Sequence, residues 1–236
     1  MQRPHDRLLI YIVQCVRKAD MASKRRQSRG LFVTIEGIEG SGKTTQAASL
    51  ARALKKDGYR VLLTSEPGGS TVGRAIRACL LNPKSRVNPL AELLLFEADR
   101  AQHLSDVILP ALRRGEIVIC DRYSDSTYAY QGFARGLGLD VVAMTDRIVT
   151  HGADPDVTIL LDLPVEEGLA RARKRGKVSR IDAESLRFHR KVRLGYLSLA
   201  KISSERVHIV HVRPDSKDTA ELVHSHVSRM LRKGKC

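Results

Sequence analysis

Leu31-Phe-Val-Thr-Ile-Glu36 runs without a break into Gly37-Ile-Glu-Gly-Ser-Gly-Lys43-Thr44, and the rest of the chain arranges itself around this stretch. The first six residues form a short apolar run rich in β-branched side chains, which reads as a strand. The next eight match GxxxxGK[ST] in full. Lys43 to Lys56 then carries helical spacing and stops at Asp57-Gly58. Strand, glycine-rich loop and helix in that order are the context in which such a loop cradles phosphates. The glycines let backbone N–H groups and the positive helix end face phosphate oxygens, Lys43 reaches the β and γ phosphates, and the Thr44 hydroxyl can hold Mg²⁺. The expected ATP-binding set is Gly37, Ile38, Glu39, Gly40, Ser41, Gly42, Lys43, Thr44 and Thr45. A glycine-rich turn with an incidental lysine is the bland alternative.

Working outward, Arg60 to Thr64, Ile117 to Cys120, Val157 to Leu161 and Val207 to Val212 read as four further strands, separated by stretches long enough for helices. This alternation predicts an α/β fold: a five-stranded parallel sheet with helices on both faces. Ligands of such sheets bind beyond the carboxyl ends of the strands. Asp121 follows the third strand and suits an outer-sphere Mg²⁺ role, while Arg122 beside it can bridge donor and acceptor phosphates. A strand-terminal salt bridge would also account for that pair. Glu39 inside the loop is out of place next to phosphate unless it has another task, such as a sugar hydroxyl on a second substrate.

The 236 residues suffice for one domain with a full core. Residues 1–29 carry scattered Arg and Lys without a period and read as a basic, disordered extension, with Met21 an alternative start. Residues 30–236 make the domain. The apolar run Leu8 to Val13 is too short for a membrane span, and Cys15, Cys79, Cys120 and Cys236 show no metal-ligand spacing. A reducing cytoplasm fits best. The net charge of +15 calls for an anionic partner, but 4% aromatic residues and no tryptophan leave little for base stacking on a nucleic acid. Nucleotide phosphates are the anions expected, with neither nucleic acid nor membrane as partner.

Three further segments add specificity: Glu66-Pro-Gly-Gly69, Asp121-Arg-Tyr-Ser-Asp-Ser-Thr-Tyr-Ala-Tyr-Gln-Gly132, and the basic run Arg171, Arg173, Lys174, Arg175, Lys177 and Arg180. With the phosphate loop, these make the chain resemble the bacterial thymidylate kinases, nucleoside monophosphate kinases of the P-loop NTPase fold. The resemblance implies transfer of the γ-phosphoryl group of ATP, with Mg²⁺, to dTMP, giving dTDP for dTTP synthesis. It implies a dTMP site of Glu39, Glu66, Arg77, Phe96, Arg100, Arg122, Thr127, Tyr130 and Gln131. In that site Glu39 meets the acceptor sugar, Phe96 stacks on thymine, and Arg100 addresses a base carbonyl. Arg77 clamps the acceptor phosphate, Thr127 and Gln131 address the base edge, and Tyr130 crowds a ribose 2′-hydroxyl. Read alone, Phe96 is a core residue and Arg77 a solvated one. The resemblance also implies a lid over about 171–182, a homodimer, catalytic roles for Lys43 and Arg122, and a lid arginine, with Arg175 beside Gly176 preferred. Thr44 and Asp121 are the metal set. Ser65 departs from the arginine that relatives often carry before the glutamate. The rival readings are a kinase acting on UMP, CMP, GMP or a deoxynucleoside, and a nucleotide-dependent switch; no guanine-reading Asn-Lys-x-Asp occurs.

Overall fold

The computed structural model describes residues 30–174, 176 and 179–233. The expected extension 1–29, Arg175 and Lys177 lie outside the described residues. Five parallel strands form one sheet, β1 (Phe32–Gly37), β2 (Val61–Ser65), β3 (Ile117–Asp121), β4 (Val157–Asp162) and β5 (Val207–His211), in the spatial order β2-β3-β1-β4-β5. This is the sheet that the sequence predicts. The observed strands differ by single residues at their ends: β3 runs on to Asp121 and β4 to Asp162, because Ile35 pairs with Asp121 and Asp162 with His211 along the ladders.

β1 lies at the centre and is buried at all six positions. Its side chains serve two cores by alternation. Val33 and Ile35 pack with Leu50 and Leu54 of α1 (Lys43–Lys56) and with Val223 and Val227 of α9 (Ser216–Lys233). Phe32 points the other way, into a cluster with Val118, Cys120, Ile108 and Leu112. β1, β3 and β4 are buried at every position, which is why they read as near-continuous apolar runs. The remaining helices are α2 (Thr71–Leu81), α3 (Pro89–His103), α4 (Leu109–Arg113), α5 (Ser124–Thr127), α6 (Leu139–Thr150), α7 (Val165–Lys174) and α8 (Leu186–Ile202).

The helix starts follow capping chemistry. The side chains of Ser70, Asn88 and Ser185 accept from backbone N–H groups at the starts of α2, α3 and α8. Pro89 opens α3, where its missing N–H costs nothing. Two π-helical turns interrupt the regular helices, Leu104–Ile108 after α3 and Tyr128–Ala134 after α5. The second carries Tyr130 and Gln131, and a widened turn shifts which side chains face inward, as is frequent near functional sites. Arg171, where the expected lid begins, is still in the last turns of α7.

Candidate active site

The phosphate loop links the end of β1 to α1. Gly40 has φ 73°, and a Cβ there would lie 1.9 Å from the Gly168 carbonyl oxygen of α7, so only glycine lets these backbones approach. Lys43 donates from Nζ to the Ile38 carbonyl oxygen at 2.7 Å. Burial, with the neighbouring charge of Arg122, brings its ammonium down to about 8. The Thr44 hydroxyl donates to Asp121 Oδ2 at 2.5 Å, which joins the loop to the end of β3. A hydroxyl and a carboxylate side by side are hard oxygen donors, the set that suits Mg²⁺.

Arg122 is the hub of the site. It has φ 72°, uncommon for a residue with a side chain, and this turns its guanidinium back under the loop. Nη1 donates to the Gly37 carbonyl oxygen at 3.1 Å, to Ser126 Oγ at 3.2 Å and to Tyr196 Oη at 3.1 Å. Nη2 donates to Glu39 Oε1 at 2.9 Å and Tyr130 Oη at 3.1 Å, and the guanidinium carbon lies 5.0 Å from the Tyr130 ring centroid. Glu39 also accepts from the Tyr130 hydroxyl at 2.5 Å and faces His189 Nδ1 at 3.1 Å. Burial alone would raise the Glu39 carboxyl. The His189 hydrogen bond and the charges of Arg122 and Lys43 outweigh it and hold that carboxyl well below the usual carboxylate range. One layer deeper, Glu36 accepts from the Tyr123 N–H, the Ser126 hydroxyl and the Tyr196 hydroxyl. Its burial, reinforced by the charge of Asp125, pushes it up to about 7.

A second buried network surrounds Arg100 of α3, which is 1% exposed. Nε donates to Glu66 Oε2 at 3.0 Å, Nη1 to Glu97 Oε1 at 2.8 Å and Nη2 to Thr127 Oγ1 at 2.9 Å, with Asp146 Oδ1 3.6 Å from Nη1. Glu66 also meets His103 Nδ1 at 3.0 Å, and His103 Nε2 meets Thr64 Oγ1 at 2.7 Å. Cys120 Sγ comes close to this pair, so that ligand atoms of Glu66, His103 and Cys120 lie within 4.8 Å of one another. Both imidazole nitrogens are taken, however, and the thiol donates to the Arg122 carbonyl oxygen at 3.0 Å, so this trio is a hydrogen-bonded core cluster.

One cavity of about 870 Å³ joins the two networks. It collects Glu39, Gly40, Gly42, Lys43, Thr44 and Thr45 from the loop region, and Asp121 and Arg122 after β3. Glu66, Arg77, Phe96, Arg100, Thr127, Tyr130 and Gln131 complete its lining. Gly37, Ile38 and Ser41 of the expected ATP set are not among the lining residues. The first two present carbonyl oxygens to Arg122 and Lys43, and the Ile38 side chain packs in a core cluster. Phe96 is half-buried, at the edge of the core and on the cavity wall, so both readings of it describe part of its position. Arg77 is exposed and donates to the Pro67 carbonyl oxygen at 2.7 Å. Gln131 turns its amide nitrogen to Glu92 at 2.7 Å. Of the basic run, Arg171 pairs with Glu167 on the surface, and Arg180 reaches Glu92 Oε2 at 2.6 Å and the Leu80 carbonyl oxygen at 3.0 Å. Ser179, Ile181 and Asp182 reach the cavity wall instead.

Sequence reasoning missed His189, Tyr196, Glu36, His103 and Glu92. No cluster of histidines is visible along the chain, yet the fold sets His189 against the loop from 150 positions away. The one local signal was the spacing of His189 and Tyr196, seven residues apart on a helix and hence on one face.

The profile of the thymidylate kinase family matches residues 35–225. A curated thymidylate kinase of Citrifermentans bemidjiense is 49% identical over 201 residues, 82% of this chain and 89% of that protein. That of Carboxydothermus hydrogenoformans is 50% identical over 179 residues, 76% of this chain and 88% of the relative. The crystal structure of a thymidylate kinase from Ehrlichia chaffeensis superposes with a TM-score of 0.69 at 33% identity, covering 86% of this chain and 99% of that one. A match through most of the chain, at identities well above those that show a fold alone, means that this chain belongs to the thymidylate kinase family.

Proposed function

We propose that this protein catalyses the ATP-dependent phosphorylation of dTMP to dTDP. One observation carries the reading. A single cavity is lined both by the phosphate-loop residues Glu39, Gly40, Gly42, Lys43 and Thr44 and by an aromatic face (Phe96) with buried hydrogen-bonding groups (Arg100, Thr127), the furniture of a nucleobase pocket. Two substrates placed head to head in it would bring their phosphates together between Lys43, Arg122 and Arg77. Phosphoryl transfer asks for this positioning and for neutralisation of charge in a loose, in-line transition state. The acceptor phosphate is mostly a dianion at neutral pH and needs no general base.

Thr44 and Asp121 are the residues that would hold Mg²⁺, Thr44 directly and Asp121 through water; the ion would offset charge on the phosphate oxygens. Glu39 takes a hydroxyl of the acceptor sugar, and Tyr130 walls the site where a 2′-hydroxyl would enter. Residues from about 171 to 182 serve as the lid, closing on water, with Arg175 as the transition-state cation. Arg171 and Arg180 are less suited, being paired with Glu167 and Glu92. ADP release measured over a panel of nucleoside monophosphates checks the whole reading: turnover should be greatest with dTMP, and equal rates with UMP or CMP would sink it.

A homodimer is supported by an apolar stripe on two adjoining helices. Leu90 and Leu94 of α3 and Met144 and Ile148 of α6 are between 48% and 64% exposed. Sedimentation of Leu94→Glu combined with Ile148→Glu should show a monomer, and an unchanged dimer would move the interface elsewhere. The free thiols of Cys79 and Cys120 agree with a reducing cytoplasm, and no described helix is long and apolar enough to cross a membrane.

A further inference from the structure

α8 turns one face to the phosphate loop, and that face holds His189. The ring is 0% exposed and is held edge-on by Phe188, 5.5 Å between centroids. Its Nδ1 lies 3.1 Å from Glu39 Oε2. An ionised carboxylate only accepts, so Nδ1 carries the hydrogen. Nε2 is buried and has no hydrogen-bond partner among the described residues. Leaving a ring nitrogen unpaired in the interior costs about 1–3 kcal/mol, which a side chain present only to fill space would avoid. The ring is therefore held for what Nδ1 does.

That task follows from the acceptor positions of Glu39. Each carboxylate oxygen offers about two. Oε1 receives Arg122 Nη2 at 2.9 Å and the Tyr130 hydroxyl at 2.5 Å, which uses both. Oε2 receives His189 alone, and Glu39 lines the cavity. We infer that His189 is a positioning residue: by holding Oε2 it aims the one open acceptor position of Glu39 at a hydroxyl of the acceptor sugar, and so sets how strongly the enzyme demands that hydroxyl. This rests on the reading of the cavity as the dTMP site. Without the imidazole the carboxylate keeps its Arg122 and Tyr130 contacts on Oε1 but is free to swing Oε2 about them.

The experiment compares dTMP with its 3′-deoxy analogue in the wild-type enzyme and in His189→Leu, His189→Asn and His189→Gln. Absence of dTMP turnover by the wild type would overturn the functional reading and this inference with it. The wild type should prefer dTMP in kcat/KM by roughly tenfold or more, the value of a hydrogen bond to a charged group. His189→Leu should lose most of that preference, with dTMP falling and the deoxy analogue changing by less than about twofold, and with KM for ATP little affected. Should the leucine variant fold poorly, the amide pair still decides. Asn places an N–H where Nδ1 stands and should retain most of the preference, whereas Gln places its N–H farther out and should not. Equal losses for both acceptors, no preference in the wild type, or Asn and Gln behaving alike would each reject the assignment.

Discussion

Two arginines that line the cavity, the half-buried Arg122 and the fully buried Arg100, live in opposite electrostatic company. Arg122 shares its hydrogens among a carbonyl, three hydroxyls and one carboxylate, Glu39, which is held ionised by His189, Arg122 and Lys43. Arg100 faces Glu66, Glu97 and Asp146 at once, with Asp99 close behind. The acids outnumber the cation there. Burial pushes Asp146 up to about 7 against the pull of Arg100, burial and the charge of Glu66 push Asp99 up to about 6, and burial raises Glu97. Arg122 is thus arranged to meet added negative charge, and Arg100 to hold a wall together. The division is not complete, since Glu36, behind Arg122, is itself raised to about 7.

The comparison breaks most visibly at Arg100. Replacing it by methionine strands Glu66, Glu97 and Asp146, and should cost on the order of 3–5 kcal/mol in thermal or denaturant unfolding, since removing one partner leaves buried charge uncompensated. A loss under about 1 kcal/mol would mean that the acids simply take up protons. Next comes Arg122→Ala, expected to lower kcat by ~10²–10³ with a smaller effect on melting, and Arg122→Lys should recover little because an ammonium cannot reproduce the forked contacts. If melting fell more than activity, the two arginines would be of one kind.

The pH dependence separates the networks by sign. Asp146 has a folded pKa of about 7, above its ordinary value of 3.8, so the folded state binds the extra proton. Its contribution to stability is therefore present at acid pH and lost as pH rises from about 4 through about 7. Asp146→Asn should flatten that decline by roughly 4 kcal/mol, read from urea unfolding across the window. Glu39 is depressed instead, so what it contributes is present above the ordinary carboxylate range and disappears as pH falls below it. A steeper decline in the Asp146→Asn variant would show that the sign is misassigned. The smallest effect belongs to the surface: Arg171→Ala removes an exposed i, i+4 pair with Glu167 and should change stability by about 0.2–0.5 kcal/mol and kcat by less than about twofold. A large drop in kcat would move the proposed lid cation from Arg175 to Arg171.

What can be read along the chain is what local chemistry sets. The phosphate loop is contiguous, so its glycines, Lys43 and Thr44 announce themselves by spacing, and α1 starts and stops where its sequence says. β1, β3 and β4 are buried along their whole length and so read as continuous apolar runs, the edge strands β2 and β5 were still visible as short β-branched and apolar stretches, and only single residues at the strand ends were left to the pairing ladders. Asp121 and Arg122 could be singled out as candidates because they stand where a parallel strand ends, the place at which ligands of such sheets gather. Tertiary structure alone decided who holds these groups. Glu36 looks like a strand residue until Tyr196, 160 positions on, donates to it; His189 looks like any helical histidine until the α8 face closes on Glu39. Arg100, which the resemblance sets on the base, also commits three of its five N–H groups to Glu66, Glu97 and Thr127, and nothing along the chain announces those partners. Such pairings depend on how helices dock on a sheet, and docking is fixed by summed packing over many apolar contacts, which no short stretch of sequence contains.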